Sequence, residues 1–374
     1  MKKIKKSVVI LVFISVSLFV YILFPRPPVS LSSFDKRAVW FSYIDLNKFS
    51  YESQDAFQKD FSSALDNVIK YKTNTVIVQI RPFEDALYKS ELFPVSQTIT
   101  QKTSLSFDPL QTMIDLAHEK GLSIEAWINP YRVSHNEQTY QQFTENSSKK
   151  AWIKDTKQVI NYGENEYILN PASQDVRNYI VDGVKEVVSN YDIDGIHFDD
   201  YFYVQGTHGD TSKNQRLDYV NMLVSDVYST IKKIKPKVTF GISPQGNYEN
   251  CIDEGADIDT WLKEEGYVDY VMPQVYWTDQ YGSQGEEMMF TNRVQTFAGL
   301  KRHKSVILYA GLALYRVNED STTDIGWKSS QQNMSDQIQV LSLNGYDGYS
   351  FFSYSSLVVE AGQKEMDTVI KIHS

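Results

Sequence analysis

From residue 37 onward the chain repeats one pattern: a short apolar or alternating run, then an amphipathic stretch, then another short run. The short runs fall at 37–43, 75–82, 123–129, 195–203, 238–245, 267–277, 306–315 and 348–355. Each is followed by a stretch with helical spacing of its apolar residues, clearest at 54–71, 109–120, 174–191 and 214–235. Strand and helix alternating in this way specify a parallel sheet, and eight such units close into an α/β fold of the (β/α)8 barrel type. No sequence repeat of fixed period accompanies the eight units.

Within the strands one parity is uniformly apolar and the other is mixed, which separates the face toward the helices from the lumen. In the second run Val76, Val78 and Ile80 are predicted to face outward, leaving Gln79 and Arg81 inside. In the third, Ile124, Ala126 and Ile128 face outward, with Glu125, Trp127 and Asn129 inside. The fourth places Ile196 and Phe198 outward and His197 and Asp199 inward, and the fifth leaves Thr239, Gly241, Ser243 and Gln245 inside. Gln274 and Tyr276 share the inner parity of the sixth. Inward polar residues therefore gather at strand C-termini, where barrel enzymes keep their active sites. The connection at 130–173 is the longest and reads as an aromatic loop, carrying Tyr131, Arg132, Trp152, Tyr162 and Tyr167 over the mouth. Such a rim suits an extended substrate.

A different pattern precedes the barrel. Residues 7–24 are an uncharged apolar run of 18, preceded by Lys2, Lys3, Lys5 and Lys6. The run is just long enough to span a bilayer, and the lysines hold its leading end in the cytoplasm. No small-x-small cleavage site follows it, so an uncleaved signal anchor is expected rather than a removed signal peptide. The expected organisation is a basic cytoplasmic tail at 1–6, the anchor at 7–24, a proline-rich linker at 25–34, and an extracytoplasmic barrel domain at 35–374.

Composition narrows the chemistry. A formal charge of −10 and a pI near 5.2 argue against nucleic acid or another polyanion as partner. The 25 tyrosines and 6 tryptophans supply flat rings able to stack on sugar faces, although most must fill the core. A single cysteine, Cys251, excludes an internal disulfide and a multi-thiolate metal site. The phosphate-cradling glycine motifs are absent, and no cofactor is expected.

The sharpest chemical signal is the run DGIHFDDYFY at 194–203, an apolar strand ending in two adjacent carboxylates. Glycoside hydrolysis needs two carboxyl groups about the glycosidic oxygen, one giving a proton and one attacking or activating water. Asp199, by parity, projects into the mouth as nucleophile or charge stabiliser, while Asp200 begins the loop and is expected to turn aside. Candidates for the proton donor are Asp200 and Glu84, ahead of Asp85, Asp45 and Asp279. Glu125 lies too deep and reads as structural. Substrate ligands are expected among Arg81, Asn129, Tyr131, Arg132, His197, Tyr203, Ser243, Gln274, Tyr276 and Trp277. Each could instead satisfy a buried backbone group.

The runs RAVWFSY, QIRPFEDALYKS, FDPLQTMIDLAHEKGLSIEAWINPYRV, DGIHFDDYFY, FGISPQG and MPQVYW fall in order on predicted strand ends. Together they resemble the glycosyl-hydrolase-like family 10 barrels of bacterial envelopes, from about residue 35 to the C-terminus. That resemblance implies a barrel hydrolase of peptidoglycan glycan strands, including strands stripped of their stem peptides. More distantly the chain resembles amylase-like barrels, whose nucleophile is an Asp at the end of the fourth strand, where Asp199 stands. It departs from them at the fifth strand, where Ser243-Pro244-Gln245 replaces an acidic residue. Two rival readings remain: a metal-dependent polysaccharide deacetylase, which wants a pair of histidines close in sequence that His118, His135, His197, His208, His303 and His373 do not supply, and a non-catalytic glycan-binding barrel.

Overall fold

The computed structural model describes residues 29–373. Eleven strands form in chain order: β1 Lys36–Phe41, β2 Thr75–Arg81, β3 Ser123–Ile128, β4 Arg132–His135, β5 Val159–Gly163, β6 Glu166–Leu169, β7 Gly195–Phe198, β8 Thr239–Ile242, β9 Tyr270–Val271, β10 Ile307–Leu312 and β11 Gly348–Phe351. Eight of them make a closed parallel barrel in the order β1-β11-β10-β9-β8-β7-β3-β2. All eight are the runs read from the sequence. The anchor expected at 7–24 lies outside the described residues, and among the described residues no helix is long and apolar enough to cross a membrane.

The helices begin where capping chemistry permits. Ser53, Asp108, Ser173 and Ser212 each accept a hydrogen bond from a first-turn backbone N–H, opening Gln54–Ile69, Pro109–Glu119, Gln174–Asn190 and Lys213–Ile234. Their apolar stripes, such as Phe57, Phe61, Leu65 and Val68, pack on the outward parity of the strands. The inward parity forms a second, smaller core of Ala38, Trp40, Ile77, Trp127, Tyr270, Met272 and Tyr309. Below it Lys36 pairs with Glu125, Tyr270 Oη donates to Glu125 Oε2 at 2.5 Å, and the lysine sits 3.9 Å from the Tyr270 ring centre. Glu125 is thus structural, as its depth implied. Gly241 is needed here, because a Cβ at that position would fall 2.0 Å from the Tyr270 ring.

Three expectations are corrected. Residues 130–173 are no loop: β4, β6 and β5 pair into a three-stranded antiparallel sheet, and Glu137–Asn146 adds a helix capped by Asn136. The fifth and sixth barrel strands are shorter than predicted, because Pro244 and Pro273 have no N–H to donate. Gln274 nevertheless bridges Gln245 on one side and Gly311 on the other, so the wall continues upward. Finally, β2 carries a bulge: Gln79 pairs with Trp127, but Arg81, not Ile80, pairs with Ile128. One extra residue reverses the parity beyond it.

Asp45 ties together the segments that follow the first and last barrel strands, above their backbone pairing. Its carboxylate is 1% exposed and accepts from Ser42 N at 2.8 Å and Ser42 Oγ at 2.7 Å on one side. On the other it accepts from Ser353 Oγ at 3.0 Å and Ser355 N at 2.8 Å. Asp45 is therefore a staple and not an acid over the mouth. Replacing it by Ala strands one buried and one half-buried backbone N–H group and two hydroxyls, so Asp45→Ala should lose about 2–4 kcal/mol of stability in urea unfolding. A loss below about 0.5 kcal/mol, the size of an ordinary surface change, would contradict this role.

Candidate active site

The carboxyl end of the barrel holds a cleft of about 270 Å³. Six residues singled out from the sequence line it: Arg132, Asp199, Asp200, Ser243, Gln274 and Tyr276. Beside them stand Trp40, Ser42, Tyr43, Ile44, Gln79, Trp127 and Phe352. Gln79 and Trp127 carried the lumen parity. Trp40 and Phe352 carried no polar signal and escaped notice as site residues.

Asp199 is 6% exposed and sits at the end of a relay. Tyr43 N donates to Gln79 Oε1 at 2.7 Å, Gln79 Nε2 to Asn129 Oδ1 at 2.6 Å, and Asn129 Nδ2 to Asp199 Oδ2 at 2.6 Å. The other oxygen, Oδ1, accepts from Tyr201 N at 3.2 Å. Both oxygens are thereby oriented by groups that are themselves fixed. Asp200, expected to turn aside, also faces the cleft, where Gln274 Nε2 donates to its Oδ1 at 3.2 Å and to Ser243 O at 2.9 Å.

Two carboxyls so close cannot both ionise freely. Burial, then the charge of Asp200, raises Asp199 to about 7, against the opposing pull of Arg132 and the donated hydrogen bonds. Burial raises Asp200 as well, with the Gln274 bond opposing. Arg132, delivered by β4 of the inserted sheet, is the cation facing the pair, and its guanidinium lies 4.0 Å from the Tyr201 ring centre. The Tyr276 hydroxyl is pushed well above its usual range by burial, then by Tyr315 and the two aspartates, so it stands as a neutral donor.

Other expected ligands lie elsewhere. Because of the β2 bulge, Arg81 points out of the lumen and is fully buried, its guanidinium 4.4 Å from the Phe93 ring centre and its Nη2 donating to Pro130 O. Glu84 accompanies it, 4.0 Å away and 1% exposed, outside the cleft lining. Burial raises Glu84 to about 7, with Arg81 and Tyr179 opposing. Asp85 is buried and accepts from Phe83 N, and Asp279 accepts from Thr291 N at 2.7 Å at the start of the helix Met289–Ala298. None of these three meets Asp199.

His197 and Asn129 support the cleft from beneath. His197 is fully buried, and its Nδ1 lies 2.7 Å from Tyr270 Oη. Since Tyr270 Oη gives its proton to Glu125, the imidazole donates from Nδ1, and its Nε2 accepts from Trp40 Nε1 at 3.2 Å. Burial, then the Lys36 charge, drives its pKa well down, so the ring is neutral. Tyr131 packs against Phe202 and Tyr203 against His208, both buried outside the cleft. Trp277 lies beneath the Arg293 guanidinium, 5.5 Å from its ring centre, likewise outside the lining. Among the described residues no group of three or more His, Cys, Asp or Glu is gathered as metal ligands would be.

One carboxyl was missed. Glu254 follows the short helix Tyr248–Asp253 and accepts from Gln245 Nε2 at 2.6 Å, at the end of the fifth barrel strand. Burial, then the charge of Asp200, raises it to about 7. An acidic side chain thus does reach the fifth strand's end, from ten residues downstream of where strand position alone would seek it.

Comparison with known proteins agrees with the barrel. The Glycosyl hydrolase-like 10 family model matches residues 35–217 and 208–329. Glycosyl hydrolase YngK of Bacillus subtilis is 33% identical over 362 residues, covering 86% of this chain and 68% of that protein. Glycosyl hydrolase DigH of Escherichia coli is 31% identical over 307 residues, covering 72% of this chain and 69% of that protein. The solved glycoside hydrolase domain of PgaB (BpsB) from Bordetella bronchiseptica covers 89% of this chain and is itself covered to 98%, with a TM-score of 0.59 at 11% identity, a likeness of fold alone. By the extent of the family match and by both relatives, the chain belongs to the glycosyl hydrolase-like 10 family.

Proposed function

We propose that this protein hydrolyses O-glycosidic bonds of a cell-wall polysaccharide, the glycan strands of peptidoglycan, including strands lacking stem peptides. The observation that carries the reading is the pair Asp199 and Asp200, two adjacent carboxyls lining one cleft, both held above the ordinary aspartate range by burial. Family membership and a mouth walled by Trp40, Trp127, Tyr276 and Phe352 support a sugar as ligand. No step requires a metal. In this reading the apolar run at 7–24 anchors the chain in the cytoplasmic membrane, with the barrel on the outer side.

The division of labour departs from the one strand position suggests. Asp199, the more deeply buried of the two and raised to about 7, holds the proton in the free enzyme and gives it to the leaving glycosidic oxygen. Asp200 is the ionised partner that stabilises the developing positive charge at the anomeric carbon or attacks that carbon, and a water that gives its proton back to Asp199 then bonds to the anomeric carbon and completes the hydrolysis. Arg132 keeps both carboxyls from rising too far, while Gln274 and Tyr276 supply donors to sugar hydroxyls.

Three outcomes are expected. On stem-peptide-free glycan strands, Asp199→Asn and Asp200→Asn should each slow turnover at least about a thousandfold. An aryl glycoside with an acidic phenol leaving group needs no proton, so on it Asp199→Asn should lose no more than about tenfold while Asp200→Asn stays inactive. Rescue of Asp200→Asn instead would exchange the two roles, and near-normal turnover of glycan by both variants would remove the pair from the chemistry.

Stability should move oppositely. The folded Asp199 carboxyl keeps its proton to higher pH than the unfolded one, so the folded state binds more protons between the two values and loses stability as pH rises through about 7. Asp199→Asn should accordingly melt roughly 2–6 °C above the wild type at about pH 8, with the gain shrinking as pH falls and vanishing only below about pH 4, where the unfolded carboxyl also keeps its proton. An equal or lower melting temperature at the higher pH would contradict this burden.

For orientation, a C-terminal tag should be cut by external protease in protoplasts. Its protection in cells stripped of wall would place the barrel on the other side of the membrane.

A further inference from the structure

The layer of the lumen directly below Asp199 is set by strand register: Gln79, Trp127, His197 and Gly241 lie side by side across β2, β3, β7 and β8. Nearly every polar group in this layer is committed. Gln79 is held between Tyr43 and Asn129, and His197 between Tyr270 and the Trp40 N–H, with Ser243 Oγ 3.0 Å from its Nε2. The exception is Trp127. Its side chain lines the cleft and is 6% exposed, yet its indole Nε1 has no hydrogen-bond partner within the described residues. Trp40, with the same residue type in the neighbouring wall, spends its N–H on His197. A buried donor left unpaired is costly and uncommon in native proteins, and it calls for an acceptor that arrives from outside.

The surroundings limit what that acceptor can be. Around Trp127 stand other aromatic rings packed edge to face: the Phe352 ring centre lies 6.4 Å from that of Trp127 and 6.0 Å from that of Trp40. A sugar hydroxyl entering here would accept from the indole but would set its own O–H against the Trp40 and Phe352 rings, because Gln79, His197 and Ser243 already have their hydrogen-bonding atoms committed. An acetyl carbonyl oxygen accepts and donates nothing, and the methyl group beside it packs against aromatic faces. We infer that Trp127 is the specificity-determining residue for a 2-acetamido sugar, its indole N–H donating to the acetamido carbonyl while Trp40 and Phe352 hold the methyl. The sugar so held has its anomeric carbon one layer higher, at the level of Asp199 and Asp200. This assignment rests on the hydrolase reading above and names the group by which the cleft chooses its substrate.

The test compares stem-peptide-free glycan strands with the same strands after chemical de-N-acetylation, using the full-length chain in detergent. Wild-type protein should cleave the acetylated strands with a kcat/KM at least about thirtyfold higher. In Trp127→Phe, which keeps an apolar ring and deletes the donor, that ratio should shrink at least tenfold, with a melting curve confirming that the variant is folded. An unchanged ratio in folded Trp127→Phe overturns the role of the indole. Should that variant not fold, the wild-type ratio still decides, since equal cleavage of both strands overturns the acetamido assignment while leaving hydrolysis standing. Cleavage of neither strand by wild type removes the hydrolase reading itself, and the assignment with it.

Discussion

Two carboxyl groups on consecutive residues must share one cleft in which both are largely buried, and most of the architecture around them serves that constraint. Consecutive residues in an extended strand point to opposite faces. β7 therefore ends at Phe198, and the chain turns within the pair so that Asp199 and Asp200 both meet the mouth. Their repulsion and dehydration are relieved from three directions: the Gln79–Asn129 relay orients Asp199, Gln274 holds Asp200, and Arg132 answers both charges. Each support comes from a different element, namely β2 and β3, the extension of β9, and the inserted sheet. The site thus exists only when the barrel is closed, and the Asp45 staple ties the segments that follow its first and last strands.

Much of this was legible in the chain because barrel strands impose period two. Parity correctly placed Gln79, Trp127, His197 and Asp199 inside and Val76, Val78 and Ile124 outside. It failed at Arg81 for a definite reason: a single bulged residue exchanges the faces beyond it, and nothing in QIRPF announces a bulge. Glu84, which follows, was carried outward with it. The fold of 130–173 was hidden because its strands are only four or five residues long, too short for alternation to stand out from a polar, aromatic loop.

Acidic residues were the hardest to sort, since a carboxylate at a strand end serves as cap, staple or catalyst with the same local sequence. Asp45 and Asp279 turned out to accept from backbone and hydroxyl groups of their own neighbourhoods. Glu254 lay unnoticed because it comes from the end of a short helix and meets the fifth barrel strand's extension only through Gln245. The residue His197 misled in the other direction: its lumen parity was right, but three buried partners bind it into the floor and leave nothing for a substrate. What distinguishes the working residues is thus the commitment of their hydrogen-bonding atoms, which only three-dimensional contacts reveal.

The protonation of the pair that its burial implies can be tested without any substrate. Infrared difference spectra of wild type against Asp199→Asn, taken across a pH titration, isolate the carbonyl stretch of a protonated carboxyl at position 199. A band present in the wild type, absent from the variant and fading with a midpoint near the value of about 7 set by burial and by Asp200 is the expected result. A carboxyl already fully ionised by about pH 5, in the ordinary aspartate range, would contradict the paired, dehydrated site on which the proposed chemistry stands.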